Sequence, residues 1–202
     1  TITGGSGKDV IRGGVGSDSL LGGAGNDSLY VDAADALIDG GTGTDTAYFS
    51  ANVDTGVLND FEFKNVENVV IVDGSGTGIS LDLSLQTESL QITGAAGGDT
   101  LMGGYRADTI TGGLGEDVLY GNDGADLFVA DGSDSVDGGA GDDTVRYADG
   151  VDTLADDAFS NVERIVITNT RHASYDFSAQ GQDDSVWEAL NISGGTGNDT
   201  IY

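Results

Sequence analysis

Apolar residues recur along much of this chain at intervals of nine. Starting at Gly4 the blocks read GGSGKDVIR, GGVGSDSLL, GGAGNDSLY, a divergent VDAADALID, and GGTGTDTAY. From Gly94 they read GAAGGDTLM, GGYRADTIT, GGLGEDVLY, GNDGADLFV, a divergent eight-residue ADGSDSVD, and GGAGDDTVR; GGTGNDTIY follows from Gly194. Each regular block ends on a tripeptide with an apolar centre: Ile11, Leu20, Leu29, Leu101, Ile110, Leu119, Phe128, Val145 and Ile201, with Ala47 the smallest. The pattern predicts very short strands whose middle side chain faces a core.

Residues 49–93 and 147–193 break the nine-residue period but resemble each other. Phe63-Lys64-Asn65-Val66-Glu67-Asn68-Val69-Val70-Ile71 matches Phe159-Ser160-Asn161-Val162-Glu163-Arg164-Ile165-Val166-Ile167, and Glu88-Ser89-Leu90-Gln91-Ile92-Thr93-Gly94 matches Glu188-Ala189-Leu190-Asn191-Ile192-Ser193-Gly194. Alternation at Ile79, Leu81, Leu83 and Leu85 reads as strand. The larger unit is thus an array followed by a spacer. Its parts are a first array over 1–48, a β spacer over 49–93, a second array over 94–146, a second spacer over 147–193, and the start of a third array over 194–202. The simplest arrangement continues one solenoid through the spacers with longer coils.

The six residues before each tripeptide read as turns. All ten regular blocks carry Gly at position 1 and Asp at position 6. Glycines at positions 1, 2 and 4 allow φ > 0, so the backbone can turn tightly and aim carbonyls inward. Three departures mark the weaker turns: Arg106 at position 4, where positive φ is expected and unfavourable, Asn122 at position 2, and Ala95 at position 2.

The in-phase repeat resembles the RTX (repeats-in-toxin) hemolysin-type nonapeptide G-G-x-G-x-D-x-U-x, and with the divergent units it covers 107 of the 202 residues. The resemblance implies an all-β, parallel β-roll or β-helix solenoid with Ca²⁺ ions in its turns. Two nonapeptides would make one coil, so turns two repeats apart would stack about 4.8 Å from each other, with Asp9 and Asp27 sharing a site. The implied metal ligands are Asp9, Asp18, Asp27, Asp45, Asp99, Asp108, Asp117, Asp126, Asp143 and Asp199. Joining them are the turn carbonyls of Gly4, Gly13, Gly22, Gly40, Gly94, Gly103, Gly112, Gly121, Gly138 and Gly194. Together they offer the oxygen ligands that Ca²⁺ prefers.

Charge supports the same chemistry. Thirty-five acids against seven bases give a net charge of −28, a field that opposes compaction and disfavours nucleic acid and anionic membranes. Stacked carboxylates about 5 Å apart repel by roughly 1–3 kcal/mol per pair, so a cation is expected in the folded state, and the metal-free arrays are expected to be unfolded. With no Cys, and His172 as the only His, the composition argues against zinc and copper sites, and no disulfide forms. No apolar run is long enough to span a bilayer. The divergent units share Asp32-x-x-Asp35 and Asp131-x-x-Asp134, which read either as distorted turns with solvated acids or as variant calcium sites.

Catalytic readings find little support. His172, in Thr170-Arg171-His172-Ala173, has no nucleophile elbow around it, and Gly7-Lys8-Asp9 is not a P-loop. The carboxylates are explained by the repeat rather than by a glycosidase pair. Trp187 and the tyrosines read as packing residues. Because the first and last residues fall inside repeats, the chain reads as a segment of a longer protein. The resemblance implies type I export, an extracellular or cell-surface location, and calcium-triggered folding within an adhesin or surface-layer protein. Other copies or neighbouring domains are then the macromolecular partners, without nucleic acid or membrane insertion. The alternative is a C-terminal export and folding module of a secreted protease, lipase or epimerase.

Overall fold

The computed structural model describes residues 1–32, 34–50, 54–59, 61–72, 76–147, 158–167, 174–175, 191–193 and 200–201. Every regular element among them is a β-strand, and every pairing is parallel. The chain therefore winds as a β-solenoid whose coils alternate between two faces.

One face is a ten-stranded sheet in which spatial order equals chain order. It runs Val10–Arg12, Ser28–Val31, Thr46–Ser50, Asn68–Val72, Gln91–Thr93, Thr109–Thr111, Leu127–Ala130, Thr144–Tyr147, Arg164–Ile167 and Asn191–Ser193. Its register aligns the centres predicted from the repeat: Ile11 with Leu29, Leu29 with Ala47, Ile110 with Phe128, and Phe128 with Val145. The spacers supply Val69, Ile92 and Ile165 to the same row. Each of these is buried.

Apart from a two-stranded pairing of Ser174–Tyr175 with Thr200–Ile201, the remaining described strands fall into two sheets. Ile2–Ser6, Ser19–Ala24, Leu37–Thr42 and Phe63–Lys64 form the first; Asp54–Asn59, Ser80–Leu85, Thr100–Met102, Val118–Tyr120, Ser135–Asp137 and Phe159–Ser160 form the second. The break falls in the first spacer, whose coil carries two strands. Asp54–Asn59 joins the coil that follows, and Phe63–Lys64 joins the coil that precedes it. On the second side of the break the buried Gln86 side chain ties the end of Ser80–Leu85 to its neighbour Asp54–Asn59, donating from Nε2 to the Leu58 carbonyl at 2.6 Å. Leu20, Ile38 and Phe63 line the core from one block, and Leu81, Leu101, Leu119, Val136 and Phe159 from the other.

Coil length follows the sequence. Successive strands pair 18 residues apart within the arrays, as Val10 with Ser28 and Thr109 with Leu127. The pairing of Thr46 with Asn68 and of Asn68 with Gln91 shows the longer coils of the first spacer, and Thr144 with Arg164 that of the second. The eight-residue unit shortens its coil, pairing Leu127 with Thr144. On the outer surface of the long sheet, Tyr30 stacks on Tyr48 with ring centroids 4.9 Å apart, and the Arg12 guanidinium lies 3.6 Å above the Tyr30 ring, a cation–π contact.

Glycine is required where coils touch. At Gly23 (φ +108) and Gly41 (φ +100) a side chain would be in a disfavoured backbone region, and its Cβ would collide with the carbonyl of the glycine one coil earlier. Asn122 adopts φ +72 in an equivalent place, as its sequence position suggests. Arg106 corrects the sequence reading: the turn over residues 103–108 contains no positive φ, so no strain falls on the arginine. Its Nε instead donates to the Thr87 carbonyl at 3.2 Å.

Candidate metal centre

The turns stack into two columns of carboxylates, one along each edge of the long sheet. In the first, the Asp9 N–H donates to Asp27 Oδ1 at 2.8 Å, and the Asp27 N–H to Asp45 Oδ1 at 2.7 Å. The second array repeats this, with Asp108 N–H on Asp126 Oδ1 and Asp126 N–H on Asp143 Oδ1, both at 2.7 Å. In the other column Asp99 N–H donates to Asp117 Oδ1 at 2.7 Å, and Asp18 stacks not on a nonapeptide aspartate but on Asp35, at 3.2 Å. Position 6 is Asp because the carboxylate is short enough to reach one coil back and satisfy a backbone donor.

That bond uses only Oδ1. Oδ2 of Asp9, Asp27, Asp45, Asp117, Asp126 and Asp143 is buried with no hydrogen-bond partner. Asp99 and Asp108 differ, since their Oδ2 accepts from Ala95 N–H at 3.0 Å and Gly104 N–H at 2.7 Å. A buried carboxylate oxygen without a partner is costly, and here it recurs with the repeat. Each lies over position 1 of its own turn. At Gly4, Gly22 and Gly121 a Cβ would strike both the aspartate and the position-1 carbonyl of the next coil, from Gly22, Gly40 and Gly138 respectively. The Gly112 carbonyl approaches Gly94 in the same way, and the Gly121 carbonyl approaches Gly103 less closely. Carboxylate and carbonyl thus converge on one hollow that only glycine leaves open.

Burial raises the pKa of Asp45, Asp108, Asp117 and Asp143 above the ordinary aspartate value, and pushes Asp126 up to about 7. Backbone N–H donors oppose the shift; for Asp126 the facing carboxylates of Asp108, Asp143 and Asp123 add to it. Without a counter-charge these oxygens are poor anions. The donor set fits Ca²⁺, which accepts carboxylate and carbonyl oxygens in flexible numbers. No three His, Cys, Asp or Glu side chains converge among the described residues, so backbone carbonyls would have to furnish a large share of any coordination shell.

Not every implied ligand is equivalent. The Gly103 carbonyl accepts the Asn122 side-chain amide at 2.8 Å. At Gly13 and Gly112 the nearest atoms to a Cβ belong to the same turn's Asp18 and Asp117, or to Leu20, rather than to a next-coil carbonyl. Asp199 and Gly194 lie outside the described residues, as do His172 and Trp187.

The divergent units explain the exceptions at Gly13 and Gly112. Val31 and Ala130 occupy position 1 and are buried in the core. Asp35 and Asp134 then take over the stacking role from one position earlier. Asp134 is 2 % exposed and accepts from Asp117 N–H at 3.1 Å and Asp131 N–H at 2.7 Å. Asp35 accepts from Asp18 and Asp32 N–H at 3.2 and 3.0 Å. These carboxylates have both oxygens engaged by backbone. Asp134 is therefore no solvated acid, and burial pushes its pKa up to about 6. The recurrence of Asp-x-x-Asp was the available signal; the shift of register by one residue concealed its role.

The comparisons agree with this geometry. The profile of a family described as RTX calcium-binding nonapeptide repeat (4 copies) matches residues 1–29, 12–47, 22–55, 93–128, 127–154 and 191–202. No curated protein matches the chain. The matched segments take in more than half of the sequence and coincide with the stacked turns; the chain belongs to the RTX calcium-binding nonapeptide repeat family.

Proposed function

We propose that this calcium-binding repeat module folds on meeting extracellular calcium and serves as a structural element of a type I-secreted surface, adhesin or surface-layer protein. The observation that carries the proposal is the recurring buried Oδ2 with no partner, set beside a next-coil carbonyl. Asp9, Asp27, Asp45, Asp126 and Asp143 would hold the ions with those carbonyls, and Asp18, Asp99, Asp108 and Asp117 would join where their turns open; Asp199 is assigned the same role from sequence. A bound divalent cation supplies the charge that the stacked carboxylates lack. The chain's own part is to place the oxygens and keep water from them.

Folding and binding are then one equilibrium. A −28 chain would stay expanded at low calcium, the condition suited to passage through an export channel, and would compact outside the cell. The test is far-UV circular dichroism of the chain in EDTA and during calcium titration. A cooperative rise of β signal at about 10⁻⁴–10⁻³ M Ca²⁺, the range of extracellular modules, with no equivalent effect of Mg²⁺, is expected. A full β spectrum in EDTA would overturn the proposal.

A further inference from the structure

The spacers repeat Phe-x-Asn-Val-Glu, a motif outside the nonapeptide, and the fold sets it directly against the last carboxylate of each array's first column. Asn65 and Asn161 adopt φ +52 and +51, the left-handed region held elsewhere among the described residues by glycines and Asn122. Side-chain amides fix them there: Asn65 Nδ2 donates to Asp39 Oδ1 at 2.8 Å, and Asn161 Nδ2 to Asp137 Oδ1 at 2.7 Å. Their carbonyls consequently occupy the place of the next-coil glycine carbonyl. A Cβ on Gly40 would meet the Asn65 oxygen and Asp45, and one on Gly138 the Asn161 oxygen and Asp143.

Two residues on, a glutamate stands where the next nonapeptide would have aspartate. Asp45 N–H donates to Glu67 Oε2 at 2.8 Å, and Asp143 N–H to Glu163 Oε2 at 2.7 Å. These bonds reproduce the aspartate-to-aspartate link within the arrays. Glutamate, one methylene longer than aspartate, makes the same bond from a turn in which it follows the carbonyl residue by two positions rather than five. The independent sign of a ligand is in the arrays: Asp45 and Asp143 are each 0 % exposed, and their Oδ2 atoms face these asparagine carbonyls with no partner.

From this we infer that each spacer completes one further calcium site, formed by Asp45 with the Asn65 carbonyl and Glu67, and again by Asp143 with the Asn161 carbonyl and Glu163. The inference rests on the calcium-binding reading above and extends it. A nonapeptide array needs a following coil to finish its last site, and here the spacer acts as that coil. Spacer folding is thereby linked to calcium.

The experiment measures bound Ca²⁺ per chain by equilibrium dialysis, with circular dichroism at saturating calcium as the check on folding. Glu67→Gln and Glu163→Gln keep an acceptor for the Asp45 or Asp143 N–H and remove only charge. Each is expected to weaken one ion at least tenfold, and the double variant two ions. A glutamate that only caps the backbone would leave number and affinity unchanged in the double variant, and that result would overturn the inference. If charge loss prevents folding, Asn65→Gly and Asn65→Ala decide it through the midpoint of calcium-induced folding. Gly keeps the positive φ and the carbonyl in place, so its midpoint stays near that of the parent; Ala displaces the carbonyl and raises the midpoint several-fold. Equal midpoints for Gly and Ala would overturn the inference. Absence of calcium binding by the parent chain would instead refute the underlying calcium reading.

Discussion

Asp27 accepts the Asp9 N–H through Oδ1, while its own N–H donates to Asp45, so a single residue joins three coils. Its Oδ2 lies beneath the Gly40 carbonyl over Gly22. Asp27 thus borders the gap on either side of its coil, whereas Asp9 borders one in the described column.

Asp27→Ala should therefore lower calcium affinity and thermal stability more than Asp9→Ala. Loss of a site removes a linkage contribution of about 1–3 kcal/mol at moderate saturation, and Asp27→Ala should cost about twice that of Asp9→Ala. Calorimetric calcium titration with thermal melts of both variants checks the order; equal losses would contradict it.

Asp134→Asn should leave the number of bound calcium ions unchanged, because both oxygens of Asp134 already accept backbone N–H groups. The variant should still lose about 1–3 kcal/mol, since the amide leaves a buried donor facing another donor. Asp126→Asn, at an orphaned oxygen, should lose an ion. Equilibrium dialysis of the pair separates the two roles.

These contrasts show what the sequence could and could not reveal. The buried row from Ile11 to Val145 and the column of Asp9, Asp27 and Asp45 are legible because a fixed period maps directly onto stacked coils. Asn65 and Glu67 escaped as site residues because their turn keeps the roles while changing both the side chains and the spacing: Asn supplies the carbonyl in place of Gly, and Glu replaces Asp two residues after it rather than five. Asp35 and Asp134 were visible as a motif, but the burial of Val31 and Ala130 that shifts the register is a matter of packing. Arg106 looked strained only because the period was extended to a turn that takes another path.

Acidification should stabilise the metal-free fold. Asp126 and Asp134 have folded pKa values of about 7 and about 6, and those of Asp45, Asp108, Asp117 and Asp143 are also raised by burial. A folded pKa above the unfolded value of 3.8 means the folded form binds more protons in between, so stability is present at low pH and lost as pH rises through 6 and 7. In EDTA, circular dichroism should show more β structure at pH 5.5 than at pH 8, with sedimentation to detect aggregation because the isoelectric point is near 4.1. With calcium bound, the carboxylates are held ionised and the slope should reverse. An EDTA sample that loses structure on acidification would contradict this.

Glycine substitutions should divide by coil contact. Gly41→Ala places a Cβ against the Gly23 carbonyl at φ +100 and should destabilise by more than about 2 kcal/mol, the backbone cost alone being about 1–2. Gly5→Ala meets nothing within 4 Å and should stay within about 0.5 kcal/mol of the parent. Thermal melts at saturating calcium give both values.

The ten-stranded face and its divided counterpart are mechanically unlike. One rail of parallel hydrogen bonds runs unbroken from Val10–Arg12 to Asn191–Ser193, while the opposite rail is jointed where Asp54–Asn59 and Phe63–Lys64 part company. Under a bending load the continuous rail resists as a flexible but inextensible strip, and the joint opens or closes across from it. A solenoid built this way would yield more easily in one direction than in the other at the first spacer, with the strand Asn68–Val72 on the continuous side.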